Sequence, residues 1–280
     1  MWSVKSNLTH LSMASDCGSY ASGSMETLNH LWSPAPKDLI LADNEVHVWR
    51  AQLELPSSQV QRLRGLLTDD ELERANRFFF EIARLRFIAA RGTLRSILSR
   101  YITIYPSHLR FHYNQYGKPF LAPEFSSYLL NFNLSHSGSM ALYAMTRNME
   151  IGVDVERVRA DFEYEEIAKR FFSVNEVANL DTIPTDKKLE AFYNCWTRKE
   201  AYIKAHGKGL SIPLDSFDVS FAPGEPPILL HTKDEPQEPS LWTLQDIQPG
   251  PGYVGALAVK GTGCRLKFWE WNQLSPLPSP

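Results

Sequence analysis

Hydrophobic periodicity along this chain changes in an order that occurs twice: strand, long helix and strands, then strand, helices and strands. That order predicts an α+β fold of two halves with a similar plan, joined near residue 150. In the first half, Glu45-Val46-His47-Val48-Trp49-Arg50-Ala51 alternates polar and apolar, as a half-buried strand does. Thr68 with Glu71 three positions on is a capping box that starts a helix. Residues 84–101 put Leu85, Ile88, Ala89, Leu94, Ile97 and Leu98 on one apolar face, and their arginines read as a solvated basic face. Strands are predicted at 109–113, 129–134, 140–146 and 151–156, with turns at Gln115-Tyr116-Gly117-Lys118-Pro119 and at Arg147-Asn148. Residues 164–172, 174–180 and 187–204 read as helices. Short β segments follow at 217–221, 228–231, 241–246, 253–259 and 266–270.

A chain of 280 residues with 43% apolar content suits one large domain or two small ones with a real core. The expected division is a loose extension over 1–40, halves at 41–150 and 151–272, and a tail over 273–280. A net charge of -3 gives no reason to expect nucleic-acid or membrane binding. No apolar run approaches the ~20 residues of a membrane span, and the N-terminus lacks a signal-peptide segment. The expectation is a soluble, cytoplasmic protein. Cys17, Cys195 and Cys264 are too few and too far apart for a zinc motif or a disulfide framework.

Chemistry concentrates in two short segments. In Ile151-Gly152-Val153-Asp154-Val155-Glu156, two carboxylates share one face of a strand and repel each other unless a cation sits between them. In Trp196-Thr197-Arg198-Lys199-Glu200-Ala201-Tyr202-Ile203-Lys204, Glu200 and Lys204 share one helix face and Lys199 lies one position off. Three carboxylates can hold a hard dication and lysines can hold phosphate oxygens, which suggests metal-assisted chemistry on a phosphate ester or anhydride. Each segment also has an ordinary reading, as a solvated strand end and a surface ion pair. Lys118 sits at a rigid turn. Ser135 and His136 are adjacent, so their side chains diverge on a strand, which argues against a Ser-His dyad; binding a phosphate suits this loop better. Gly207-Lys208-Gly209 follows a helix and is no P-loop.

Taken in order, the segments closely resemble the 4′-phosphopantetheinyl transferases of the surfactin-synthetase-activating type. The resemblance rests on Arg77-Phe78-Phe79, Tyr116-Gly117-Lys118-Pro119, Phe132-Asn133-Leu134-Ser135-His136-Ser137-Gly138, Gly152-Val153-Asp154-Val155-Glu156, Arg170-Phe171-Phe172-Ser173, the segment from Trp196 to Lys204, and Gly207-Lys208-Gly209-Leu210-Ser211-Ile212-Pro213-Leu214. It implies a pseudo-two-fold monomer of two α+β halves, with coenzyme A and Mg²⁺ (or Mn²⁺) in the cleft between them. It implies transfer of the phosphopantetheine arm of coenzyme A to a serine of an acyl or peptidyl carrier protein, with release of 3′,5′-ADP. On that resemblance Asp154, Glu156 and Glu200 hold the metal, and Glu200 or a metal-bound water takes the serine proton. Lys199 and Lys204 face the pyrophosphate, and Arg74, Arg86, Lys118, Ser135 and His136 hold the nucleotide. Glu71 departs from the family pattern, since some relatives carry a basic residue there. Residues 158–172 are the expected carrier-docking segment.

Two other functions share these residues. A Mg²⁺-dependent phosphohydrolase would use water as the nucleophile. A coenzyme A or carrier-protein binding module would have lost the chemistry, but the complete set Asp154, Glu156, Glu200 and Lys204 argues against it.

Overall fold

The computed structural model describes residues 32–271. The extension expected over 1–40 therefore divides: residues 1–31 lie outside the described residues, as does the expected tail, whereas 32–40 are built into the fold. Trp32 packs edge-on against Phe268 at 5.3 Å and its indole N–H donates to Gln248 O at 2.8 Å, so this part of the extension is anchored.

The first half runs β1 (Ser33–Pro34), β2 (Glu45–Gln52), α1 (Ser57–Arg64), α2 (Asp69–Asn76), α3 (Glu81–Ile102), β3 (Phe111–Tyr113), β4 (Pro119–Leu121), β5 (Leu130–Ser137) and β6 (Met140–Arg147). The second runs β7 (Ile151–Arg157), α4 (Tyr164–Phe171), α5 (Val174–Thr182), α6 (Thr185–His206), β8 (Phe217–Val219), β9 (Leu229–Thr232), α7 (Glu238–Leu241), β10 (Trp242–Ile247), β11 (Tyr253–Lys260) and β12 (Arg265–Glu270). Sequence reading missed α1, because Val60 and Leu63 alone are buried on it and two apolar positions define no period.

Four layers result. A five-stranded sheet, in the order β1-β12-β2-β6-β5, carries α3 on its outer face. A three-stranded antiparallel sheet, β10-β11-β7, carries α6 on its own outer face. Between the sheets Val46, Val48, Leu142 and Ala144 meet Val153, Val155, Leu257 and Val259 in a third core. Burying each of the valine and leucine side chains stabilises by roughly 1.5–3 kcal/mol. β12, read with the second half, crosses back to pair in parallel with β2, register Trp269 to Trp49. The last strand thus completes the first half's sheet.

The arginines of α3 are not a solvated face. Arg95 is 1% exposed and Arg91 7% exposed, and both clasp Glu71 of α2, itself 3% exposed. Glu71 also accepts the N–H of Thr68, closing the expected capping box at 3.1 Å. A buried carboxylate needs such partners, and Arg91 and Arg95 keep its pKa below the usual range against the opposing effect of burial. Its place at a departure from the family pattern is therefore structural.

Close approach of β7 to α6 sets the site. A Cβ on Gly152 would lie 2.0 Å from Ala201 O and 2.3 Å from Ala205 N, both backbone atoms of the helix. Gly152→Ala must push strand and helix apart, and overpacking of this kind costs about 1–3 kcal/mol or more. The variant is expected to melt earlier and to lose activity. An unchanged melting temperature in thermal denaturation would show that the two elements do not meet at this residue.

Candidate active site

β5 and β7, edge strands of the two sheets, lie side by side and are joined by side chains. Asn133 Oδ1 accepts the Val153 N–H at 2.9 Å. The Ser135 hydroxyl donates to Asp154 Oδ1 at 2.8 Å, and the Ser137 hydroxyl to Glu156 Oε2 at 2.8 Å. Positions 133, 135 and 137 share one face by strand alternation, as do 154 and 156. Asp154 and Glu156 thus project together on the face opposite Val153 and Val155, toward α6. His136 falls on the other face of β5 with Phe132 and Leu134, half-buried and across from Ala141. Ser135 and His136 diverge along the strand, and the serine reaches Asp154.

From α6, Glu200 and Lys204 arrive one turn apart, each 7% exposed. Lys204 turns its ammonium onto Asp154 Oδ1 at 2.5 Å and Ser135 Oγ at 2.9 Å. This is no surface ion pair: the Asp154 side chain is fully buried. The helix holds no solvated face here, which accounts for Trp196 beside the charged pair; it is 6% exposed and stacks on Phe192 at 6.0 Å.

Lys199 is placed differently from its expected role. It lies about 100° around the helix from Glu200, and its Nζ is sealed in the second half's core. There it pairs with Glu176 at 2.7 Å and donates to Leu214 O at 2.7 Å and Phe217 O at 2.5 Å. With a fully buried side chain it cannot face a pyrophosphate. One residue earlier, Arg198 is likewise spent on Asp246 at 2.6 Å.

The expected nucleotide residues are spread out. β5 and β7 run in the same direction, with 133, 135 and 137 meeting 153, 154 and 156. Arg86 of α3 pairs with Glu54, and the neighbouring Leu53 N–H donates to Ser139 O at 2.7 Å, which puts Arg86 at the Ser137 end. Arg74 lays its guanidinium 5.6 Å over the Phe87 ring, next to Arg86 in sequence. Lys118 is at the opposite end, donating to Ile151 O at 3.1 Å and Ala205 O at 2.7 Å. Ile151 to Glu156 spans roughly 16 Å of strand, so Arg86 and Lys118 do not form one cluster. Burial brings the Lys118 pKa down to about 8, with Glu150 acting in the opposite direction. A cleft of about 410 Å³ in the first half is lined by Arg91, Arg95 and Arg110, but Glu71 already engages the first two.

No group of three or more His, Cys, Asp or Glu side chains among the described residues is gathered closely enough to hold a metal. The trio Asp154, Glu156 and Glu200 is therefore not preassembled. By type it fits a hard divalent ion, being all oxygen donors, with two of them oriented by serine hydroxyls. A lysine ammonium stands against Asp154, so the position already favours positive charge.

Sequence reading missed Ser137, Asn133 and Gly152 as site-building residues. Ser137 was within reach: it stands two positions after Ser135, as Glu156 stands two after Asp154, and both pairs follow the strand period. Gly152 carries no local signal, because its reason is a helix about fifty residues away.

Comparison with known proteins accords with this geometry. Residues 150–258 match the model of the 4′-phosphopantetheinyl transferase superfamily, and residues 53–148 match that of the 4′-phosphopantetheinyl transferase N-terminal region. The 4′-phosphopantetheinyl transferase HetI of Nostoc sp. (strain PCC 7120 / SAG 25.82 / UTEX 2576) is 42% identical over 244 residues, which is 87% of this chain and 100% of the relative. The 4′-phosphopantetheinyl transferase Sfp of Bacillus subtilis (strain 168) is 32% identical over 215 residues, 76% of this chain and 91% of the relative. With both halves matched, HetI covered over its whole length and Sfp over 91% of its length, the chain belongs to the 4′-phosphopantetheinyl transferase superfamily.

Proposed function

We propose that this chain transfers the 4′-phosphopantetheine arm of coenzyme A to a serine of an apo acyl or peptidyl carrier protein. The serine oxygen attacks the β-phosphorus, the bridging bond to the α-phosphate breaks, and 3′,5′-ADP leaves. The observation that carries the reading is the meeting of Asp154, Ser135 and Lys204 between two elements that a glycine brings into contact, beside Glu156 and Glu200. Asp154, Glu156 and Glu200 would hold Mg²⁺ or Mn²⁺. When bound, that ion neutralises charge growing on the pyrophosphate.

The remaining steps belong to the chain. Ser135 and Ser137 fix the orientation of Asp154 and Glu156. Lys204 balances Asp154 here, and its flexible stem lets the ammonium turn to a phosphate oxygen brought into the cleft. Glu200, on the same helix face, takes the serine proton. Arg74 and Arg86 receive the nucleotide end at the Ser137 side. The carrier approaches residues 158–172, which continue directly from β7; there Arg159 lies 5.6 Å over Phe162 and its N–H donates to the Tyr193 hydroxyl at 3.0 Å. No helix among the described residues is long and apolar enough to cross a membrane. We take the working form to be a monomer in the cytoplasm.

The test is incubation with coenzyme A, Mg²⁺ and an apo carrier protein, followed by intact mass spectrometry of the carrier. The expected result is a gain of one phosphopantetheine that EDTA abolishes. Phosphate release with no gain would favour the hydrolase. Coenzyme A binding with no gain across several carriers would favour the inactive binding module.

A further inference from the structure

The β3–β4 hairpin belongs to the first half and reaches into the second. Its tip is rigid: Asn114 Oδ1 accepts the N–H groups of Tyr116 and Lys118, each at 2.9 Å, and Gly117 turns the chain at φ 83. From this tip Asn114 Nδ2 donates to Gly207 O at 2.6 Å, and Lys118 Nζ donates to Ala205 O at 2.7 Å. Both acceptors lie at the C-terminal end of α6, where carbonyls lack helical partners and carry partial negative charge. Gly207 caps the helix at φ 68, and a Cβ there would lie 2.8 Å from Lys118 Cδ.

The same ammonium also binds Ile151 O of β7 at 3.1 Å. Ile151 precedes Gly152, whose contact with Ala205 sets the strand–helix distance. One side chain therefore ties β7 to α6 beside the close approach at Gly152. The base of the hairpin is equally fixed. Arg91 of α3 donates to the Tyr113 hydroxyl at 2.8 Å and lies 4.1 Å over the Phe111 ring. A continuous path of contacts runs from α3 through the hairpin to the last turn of α6.

We propose that the β3–β4 hairpin is a brace that sets the spacing of β7 and α6, with Lys118 and Asn114 as positioning residues for Asp154, Glu200 and Lys204. Lys118 then acts through the helix end and is no ligand of the nucleotide. The inference rests on the transferase reading.

The test compares wild type, Lys118→Met and Asn114→Ala as full chains. Transfer to an apo carrier gives kcat, titration with coenzyme A and with 3′,5′-ADP gives Kd, and hydrogen exchange follows amides 203–207. Misplacing catalytic groups by a fraction of an ångström to an ångström costs on the order of 10- to 100-fold in rate. The brace predicts that loss of kcat in both variants, unchanged Kd values, and faster exchange at 203–207. Asn114→Ala removes no charge and carries the test should Lys118→Met misfold. Weaker coenzyme A or 3′,5′-ADP binding by Lys118→Met with kcat retained at saturation overturns the proposal. So do unaltered kcat and exchange in Asn114→Ala. A wild type that modifies no carrier overturns the transferase reading instead, and exchange at 203–207 still decides the brace.

Discussion

Asp154→Asn is expected to lower transfer by on the order of a thousandfold or more, since metal-assisted charge stabilisation supplies several kcal/mol and each 1.36 kcal/mol is tenfold. Stability should fall as well. Two carboxylates lining an open cleft could be removed with little effect on the fold, and the sequence suggests that situation. The structure places Asp154 at 0% exposure, holding the Lys204 ammonium and the Ser135 hydroxyl. Asparagine keeps the shape and deletes the charge, leaving an ammonium in a site 9% exposed without its counter-ion. Breaking one side of a buried pair costs about 3–5 kcal/mol. The double variant Asp154→Asn with Lys204→Met should recover much of the melting temperature and none of the transfer. Intact mass spectrometry of the carrier and thermal denaturation read the two effects separately. Near-normal turnover in Asp154→Asn would overturn the site assignment.

Lys199→Met should show the opposite pattern, a large loss of stability without a loss of coenzyme A affinity in the molecules that remain folded. Its ammonium and the Glu176 carboxylate are both buried, at 0% and 2% side-chain exposure, and face each other at 2.7 Å. Glu176 also accepts the N–H groups of Ser173 at 3.0 Å and Val219 at 2.9 Å, so it ties α5 to β8. Removing the lysine strands that carboxylate, again at about 3–5 kcal/mol. A paired change, Lys199→Met with Glu176→Gln, should recover part of the loss because no charge is left unpaired. If Lys199 instead touched the pyrophosphate, the single variant would keep its melting temperature and bind coenzyme A more weakly. Denaturation midpoints set against titration of coenzyme A separate the two roles.

Lys199 and Lys204 show why a site is only half legible in a sequence. Both follow from the same helix motif, and their spacing correctly puts Lys204 with Glu200 and sets Lys199 apart. Which face of that helix meets the other half, and which is buried in its own core, depends on packing from residues as distant as Asp154 and Phe217. The arginines of α3 make the same point. Their helical phase is visible, but the carboxylate that buries Arg91 and Arg95 comes from another helix.

What the sequence by itself determined is what neighbours two to four positions apart encode. That covers most of the strands and helices in their order, the capping box at Thr68, and the pairing of Asp154 with Glu156 on one strand face. Only the tertiary structure decided the rest. It returned β12 to the first half's sheet, made Gly152 a contact point, turned Lys118 to the end of α6 and closed Lys204 onto Asp154. The physical reason is range: periodicity is written in local backbone geometry, whereas the partner of a buried charge is chosen by whichever distant segment the packing brings within hydrogen-bond distance.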